Sequence, residues 1–232
     1  MDESQGGLGP LQNALGHHFS HRELLIEALT HPSAVRRHGR SPRGYERLEF
    51  LGDRVLGLIV AEMLWHRFPT EAEGELSRRH AHLVRREALA EVAKTIGLGK
   101  CLVLSPSEES SGLRDNASTL ADACEAVIAA LYLDGGAAAA RHFVERRWEP
   151  RLAAAGEPPR DPKTALQEWA QARGLPLPAY RTVATEGPSH RRRFTVSVSV
   201  EGQEPATASG SSKRAAETAA AAAALAALAV AP

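Results

Sequence analysis

Residues 45–58 read YERLEFLGDRVLGL, and the placement of their acids decides what the chain builds around them. On a helical wheel of 100° per residue, with Glu46 at zero, Glu49 falls at about 300° and Asp53 at about 340°. Three carboxylates thus share a face about 60° wide. Leu48, Leu51, Val55, Leu58 and Ile59 fall between about 120° and 220°, the side expected to meet a core. Like charges at i+3, i+4 and i+7 repel by roughly a few tenths of a kcal/mol per pair unless a cation sits among them. For a single helix, a solvated acidic face is the plain interpretation. A second acidic helix shifts the balance.

That helix is expected from about Ser118 to Leu133. Asp122 and Glu125 lie three residues apart on one face, with Cys124, Val127, Ile128 and Leu131 around the other. Cys124 is accordingly expected as an inert buried thiol. Two such helices can converge on a hard divalent cation, and oxygen-only donors point to Mg²⁺, with Mn²⁺ as a substitute, rather than zinc. His17-His18 and His80-x-His82 lack the i,i+4 spacing of a helical zinc site. No organic cofactor is called for.

Outward from these stretches, the first 150 residues are expected to be helical. Ser20 and Glu23 suggest a capping box opening a helix that His31-Pro32 stops. The first acidic helix should run from about Tyr45 to Phe68, and Leu76 to Ile96 gives one or two more. Residues 104–117 are polar and turn-rich, so a loop is expected. Asp134-Gly135-Gly136 should end the second acidic helix, with another continuing through Trp148. Residues 151–160 lie in a proline-rich stretch and are expected as a linker.

Beyond the linker the period changes. Asp161-Pro162 is an N-cap and first-turn proline, and Gly174 should end that helix. RFTVSVSV at 193–200 alternates, with Phe194, Val196, Val198 and Val200 on one face. Tyr180–Ala184 and Ala206–Ser209 are further strand candidates. Ser211 or Ser212 then caps an alanine-rich helix anchored by Leu225 and Leu228. The fold class is therefore an all-α N-terminal domain, residues 1–150, plus a small α+β domain of order α-β-β-β-α, residues 161–232.

The 232 residues carry 28 basic and 28 acidic side chains, with 43% hydrophobic residues. Such a composition excludes wholesale disorder. Residues 161–232 hold 8 basic against 6 acidic residues, leaving 20 against 22 before them, a division too small to name a partner. No apolar run marks a membrane span, the alanine tail being the one candidate and too weakly apolar. The N-terminus lacks a signal-peptide pattern, and Cys101 and Cys124 form no CxxC. A cytoplasmic protein with no membrane association is expected.

ERLEFLGD at 46–53 resembles the signature of the ribonuclease III endonucleases. LADACEA at 120–126 resembles the family's second acidic motif and AEGELS at 72–77 its intervening one. Residues 161–228, with DPKTALQEWAQARGLPLPAY and GSSKRAAETAA, resemble the double-stranded-RNA-binding domain that follows the endonuclease domain in bacterial members. Together the similarity spans roughly residues 8–230.

The resemblance implies a Mg²⁺-dependent endoribonuclease that cuts duplex RNA to 5′-phosphate and 3′-hydroxyl ends, processing ribosomal RNA precursors and other structured transcripts. It makes Glu49, Asp53, Asp122 and Glu125 the metal-binding cluster, with Asp53 and Glu125 catalytic. Glu46 and Glu73 match two further acidic positions, although Glu73 also suits a helix start. Phe50, at about 40° on the wheel, is off the core stripe; the resemblance makes it a homodimer contact seated in a partner pocket. Thr164, Gln167 and Glu168 match a first RNA contact, Gly187-Pro188-Ser189-His190 a second, and Ser212, Lys213 and Arg214 a phosphate-binding helix start. Departures are Tyr45 for a common asparagine, Arg54 for a small residue and Ala215 for a third basic one; Arg191-Arg192-Arg193 could compensate for the last. A catalytically silent RNA-binding protein on the same fold would be signalled by loss of Asp53, Asp122 or Glu125. All three are present.

Overall fold

The computed structural model describes residues 8–35, 44–154, 156, 161–188 and 192–230. The chain divides into two units, Met1–Pro159 and Arg160–Pro232. The first contains α1 (Gly9–Leu15), α2 (Arg22–Leu29), α3 (Glu46–Arg67), α4 (Glu73–Leu83), α5 (Arg86–Thr95), α6 (Pro106–Ser110) and α7 (Ala117–Ala153). Among its described residues it is all-α apart from one isolated bridge between Thr30 and Val103.

Helices α3 and α7 form the centre of this unit. Leu48, Val55, Leu56, Ile59, Val60 and Leu64 of α3 are buried with Leu120, Cys124, Val127, Ile128 and Leu131 of α7. Burial pushes the Cys124 thiol up to about 12, so it is as inert as expected. Leu58 departs from expectation. It is 69% exposed, on a stripe with Phe50 (65%) and Trp65 (69%). At about 120° on the wheel, Leu58 sits at the edge of the core arc, 20° from Trp65, and α7 covers only the arc beyond it.

The helix ends correct other expectations. The capping box at Ser20 is not formed, and α2 starts at Arg22 without a side-chain cap. The amides of Ser20 and His21 instead donate to the Asp134 carboxylate at 3.0 and 2.7 Å, and His17 Nε2 lies 2.7 Å from it. A carboxylate makes the stronger bonds, so the tertiary acceptor wins over the local hydroxyl. The stop at Asp134-Gly135-Gly136 is a kink rather than an end. Gly136 takes φ 67° and ψ −172°, and the helix resumes as far as Ala153, into the stretch expected as linker. The expected loop at 104–117 holds α6 and a 3-10 turn, and Asn116 caps α7 through Ser118 and Thr119. Among the described residues, α7 rather than the alanine tail is long and apolar enough to cross a membrane, but its apolar residues form this core.

The second unit is α8 (Pro162–Gln171), β1 (Ala179–Glu186), β2 (Arg193–Ser199), β3 (Ala206–Gly210) and α9 (Lys213–Val230). The strands form an antiparallel sheet in the order β1-β2-β3. Asp161 caps α8 through Lys163 and Thr164, and Ser212 caps α9 through the Ala215 amide at 3.1 Å. The alternation of β2 puts Val196 and Val198 beneath the helices, against Leu166, Ala170, Ala216 and Ala220.

Candidate active site and RNA-binding surface

Helices α3 and α7 meet backbone to backbone at Gly52. A β-carbon there would lie 2.5 Å from the carbonyl carbon of Glu125 and nearer still to its oxygen. Only glycine allows the two backbones to meet this closely. The consequence is positional: Asp53 follows Gly52 in sequence, and Glu125 is the residue it touches. Asp53 and Glu125 come to one place because a side chain is missing between them.

Glu49, Asp53, Asp122 and Glu125 line a cavity of about 380 Å³ together with Phe50, Arg54, Arg86 and Ala121. Burial is the first cause that lifts Glu125 from its usual range to about 8, followed by the charges of Asp53, Glu49 and Asp122. Glu49 is raised by burial and then by Asp122, Glu46 and Asp53. Asp122 is raised by burial, with Arg86 and His31 opposing. A cation among them would favour their charged forms. Buried Tyr45, just outside, has its hydroxyl raised by burial and by Asp122, Glu49 and Glu46.

The donor set is oxygen only, which fits a hard divalent cation. Among the described residues, no three acidic, His or Cys side chains stand close enough together to hold one ion as they lie. Asp53 is turned to Arg54, whose Nη1 donates to it at 2.5 Å.

Four of the six expected acids are therefore brought together. Glu46 sits one turn earlier on α3 and contributes charge to Glu49 without lining the cavity. Glu73 is apart. It begins α4, accepts a hydrogen bond from Ser77 at 2.9 Å and lines a separate cavity of about 460 Å³ with Ala61, Leu64, Trp65, Leu76 and His80. Arg86 was not anticipated as a cavity residue. Its signal was local: a cation in the first turn of a helix opposes the dipole, so a tertiary partner was implied.

On the second unit, Thr164, Gln167 and Glu168 are exposed on one face of α8, and Ser212, Lys213 and Arg214 are exposed at the start of α9. His190 of the expected middle contact, with Ser189 and Arg191, lies outside the described residues. Lys163 is engaged with Glu217 at 2.6 Å and joins α8 to α9.

Residues 21–152 match the family model described as Ribonuclease-III-like, and residues 162–228 match the Double-stranded RNA binding motif. The chain belongs to the ribonuclease III family. Ribonuclease 3 of Azorhizobium caulinodans is 55% identical, covering 94% of this chain and 92% of that protein. Ribonuclease 3 of Caulobacter vibrioides is 51% identical, covering 94% of each. The nuclease domain of ribonuclease III from Campylobacter jejuni, whose structure is described by flexibility in a region involved in dimer formation, superposes with a TM-score of 0.59. It is 38% identical and covers 63% of this chain and 99% of that one. As a ribonuclease III with a double-stranded RNA binding motif, the chain is an endoribonuclease of double-stranded RNA.

Proposed function

We propose that this ribonuclease III cuts duplex RNA with Glu49, Asp53, Asp122 and Glu125 holding a divalent cation, Mg²⁺ by preference and Mn²⁺ as a substitute. The observation that carries this reading is the convergence of the four carboxylates on one cavity, with three of them raised above their usual range. When bound, the cation supplies charge neutralisation at the scissile phosphate and a lowered pKa for the attacking water. The protein's own residues set the geometry. Asp53 and Glu125, the catalytic pair, come from two helices that meet backbone to backbone at Gly52. Glu125 is raised to about 8 by burial and by its acidic neighbours, and a bound cation would favour its carboxylate form. Arg86, in the same cavity, opposes the burial that raises Asp122. Cleavage leaves 5′-phosphate and 3′-hydroxyl ends, and ribosomal RNA precursors and other structured transcripts in the cytoplasm are the proposed substrates.

The active form is a two-fold homodimer through α3. Phe50, Leu58 and Trp65 form an exposed apolar stripe, which monomers rarely leave open to water. The apolar cavity between α3 and α4 is a socket of suitable size for the partner's Phe50. Phe50 is next to Glu49, so its docking carries an acidic cluster towards the Glu73 that lines the socket. This gives Glu73 a place beside the partner's site, and Glu46 supports the cluster from one turn away. Each of the two sites cuts one strand. Residues 161–232 act as a separate module that follows the nuclease unit. Thr164, Gln167, Glu168 and His190 contact minor grooves, and Ser212, Lys213 and Arg214 take a phosphate at the start of α9.

Glu125→Gln tests the catalytic reading. It preserves shape and helix propensity while removing a charge from the metal site. Cleavage of a labelled duplex should fall by orders of magnitude, while gel-shift affinity for the same duplex is retained. Near-normal cleavage by the folded variant would remove Glu125 from the site.

A further inference from the structure

Arg54 occupies a position where the family resemblance leads one to expect a small residue. Its Nη1 donates to Oδ2 of Asp53 at 2.5 Å and to the Phe50 carbonyl at 3.3 Å. The guanidinium carbon lies 4.3 Å from the centroid of the Phe50 ring, which serves as its platform. Consecutive residues on a helix point about 100° apart, so Arg54 reaches Asp53 only by folding back across that ring. Arg54 and Arg86 are the cations among the described residues lining the acidic cavity. Arg54 is the one hydrogen-bonded to a carboxylate there.

We propose that Arg54 is the resident counter-ion of the active site, a positioning residue that holds Asp53 on the Phe50 side of the cavity until a divalent cation displaces it. The inference rests on the metal reading above and concerns how readily the site loads. One oxygen of Asp53 is engaged, so the guanidinium offsets part of the cluster's charge without closing over Glu49, Asp122 or Glu125. The interaction is also weak enough to break. Arg54 and Asp53 side chains are 60% and 48% exposed, where ion pairs contribute little. A firmly buried pair would shut the site; this one sets a threshold.

Arg54 therefore acts with opposite sign on the two states. It stabilises the metal-free protein, where it is the neutralising charge, and opposes loading, where it competes for Asp53 and repels the incoming cation. Arg54→Met keeps the aliphatic stem and removes both charge and fork. Arg54→Lys keeps the charge but has no planar group to bridge ring and carboxylate.

The test uses the full chain without RNA. Mn²⁺ affinity is measured from the electron paramagnetic resonance signal of the free ion, and melting is followed in EDTA and in saturating Mg²⁺. Arg54→Met should bind Mn²⁺ about threefold to tenfold more tightly. It should melt below wild type in EDTA and no lower than wild type in Mg²⁺. Arg54→Lys should lie between the two in affinity. Unchanged or weaker Mn²⁺ binding by Arg54→Met, or an equal melting shift in both conditions, overturns the role of Arg54. If Arg54→Met does not fold, Arg54→Lys decides, and wild-type Mn²⁺ affinity in that variant overturns it equally. Absence of saturable Mn²⁺ binding by wild type overturns the metal reading itself, and this inference with it.

Discussion

Replacing Gly52 by alanine adds one methyl group where α3 crosses α7. Its β-carbon would overlap the Glu125 carbonyl, 2.5 Å from the carbon and nearer still to the oxygen, whereas real β-carbons keep beyond 3.0 Å, so the backbones must part by about an ångström or more. No rotamer relieves the overlap, because the obstacle is main chain. Alanine gains about 1 kcal/mol in helix propensity, while overpacking a tight contact costs about 1–3 kcal/mol. With an obstacle that cannot rotate away, the upper end of that cost applies, for a net loss of about 1–2 kcal/mol. In a unit of this size the melting temperature should fall by about 3–8 °C. Activity should suffer more than stability. Asp53 and Glu125 flank the contact, and displacements of this order at reacting groups cost about a hundredfold. Single-turnover cleavage should therefore drop about a hundredfold while gel-shift affinity for duplex RNA is retained. A Gly52→Ala protein that melts at or above wild type and cuts at the wild-type rate would refute the claim that this contact builds the site.

Phe50→Ala should weaken self-association at least about tenfold in sedimentation, with the melting of the monomer changed by no more than about 2 °C. Retained association with lost thermal stability would return Phe50 to the core. Lys213→Ala with Arg214→Ala should weaken binding to all duplexes alike and reduce the slope of log affinity against log salt by about 1–2; an effect confined to one sequence would contradict phosphate contact. In EDTA, stability should fall as pH rises. The folded pKa of Glu125, about 8, exceeds its ordinary 4.5, so its destabilising effect is absent below about 4.5 and complete only above about 8. Each pKa unit is worth about 1.36 kcal/mol, and partial exposure brings the total to about 2–3 kcal/mol. Glu125→Gln should flatten the profile; an unchanged slope would place the pH dependence elsewhere.

The two acidic faces were legible because helical periodicity is a local property. Asp53 and Glu49 are one turn apart wherever α3 goes, and Asp122 and Glu125 likewise on α7. Their convergence was not local, and the residue that produces it, Gly52, is silent in a wheel. Its only trace is a glycine in the middle of a helix, costing about 1 kcal/mol against alanine. The cap of α2 failed for the same reason. Asp134 lies over a hundred residues from Ser20, and no pattern in residues 20–23 records it. Leu58 was misplaced because periodicity gives an arc and not the neighbour that covers it. The RNA-binding unit was easier, since its Asp161 cap, β2 alternation and Ser212 cap are short-range devices.

The first unit breaks local rules where its site lies, and the second does not. Gly52 interrupts helix propensity, Arg86 opposes a helix dipole, Glu125 is raised well above its usual range by burial and neighbouring acids, and Phe50, Leu58 and Trp65 face water. Stability alone would favour glutamine at 125 and polar residues on the stripe, whereas Gly52 and Arg86 answer to the backbone and the acids packed against them. On the readings proposed above, the acids and the apolar stripe are relieved by a ligand rather than by the fold: a cation for the acids, a second copy for the stripe. The stability of that unit is thereby linked to what it binds, by mass action. Thr164, Lys213 and Arg214 are exposed on well-capped helices that need nothing from RNA to hold their shape. On that reading metal and dimerisation act on the folding of the nuclease unit, whereas the described RNA-binding residues of α8 and α9 stand on helices already capped by the fold.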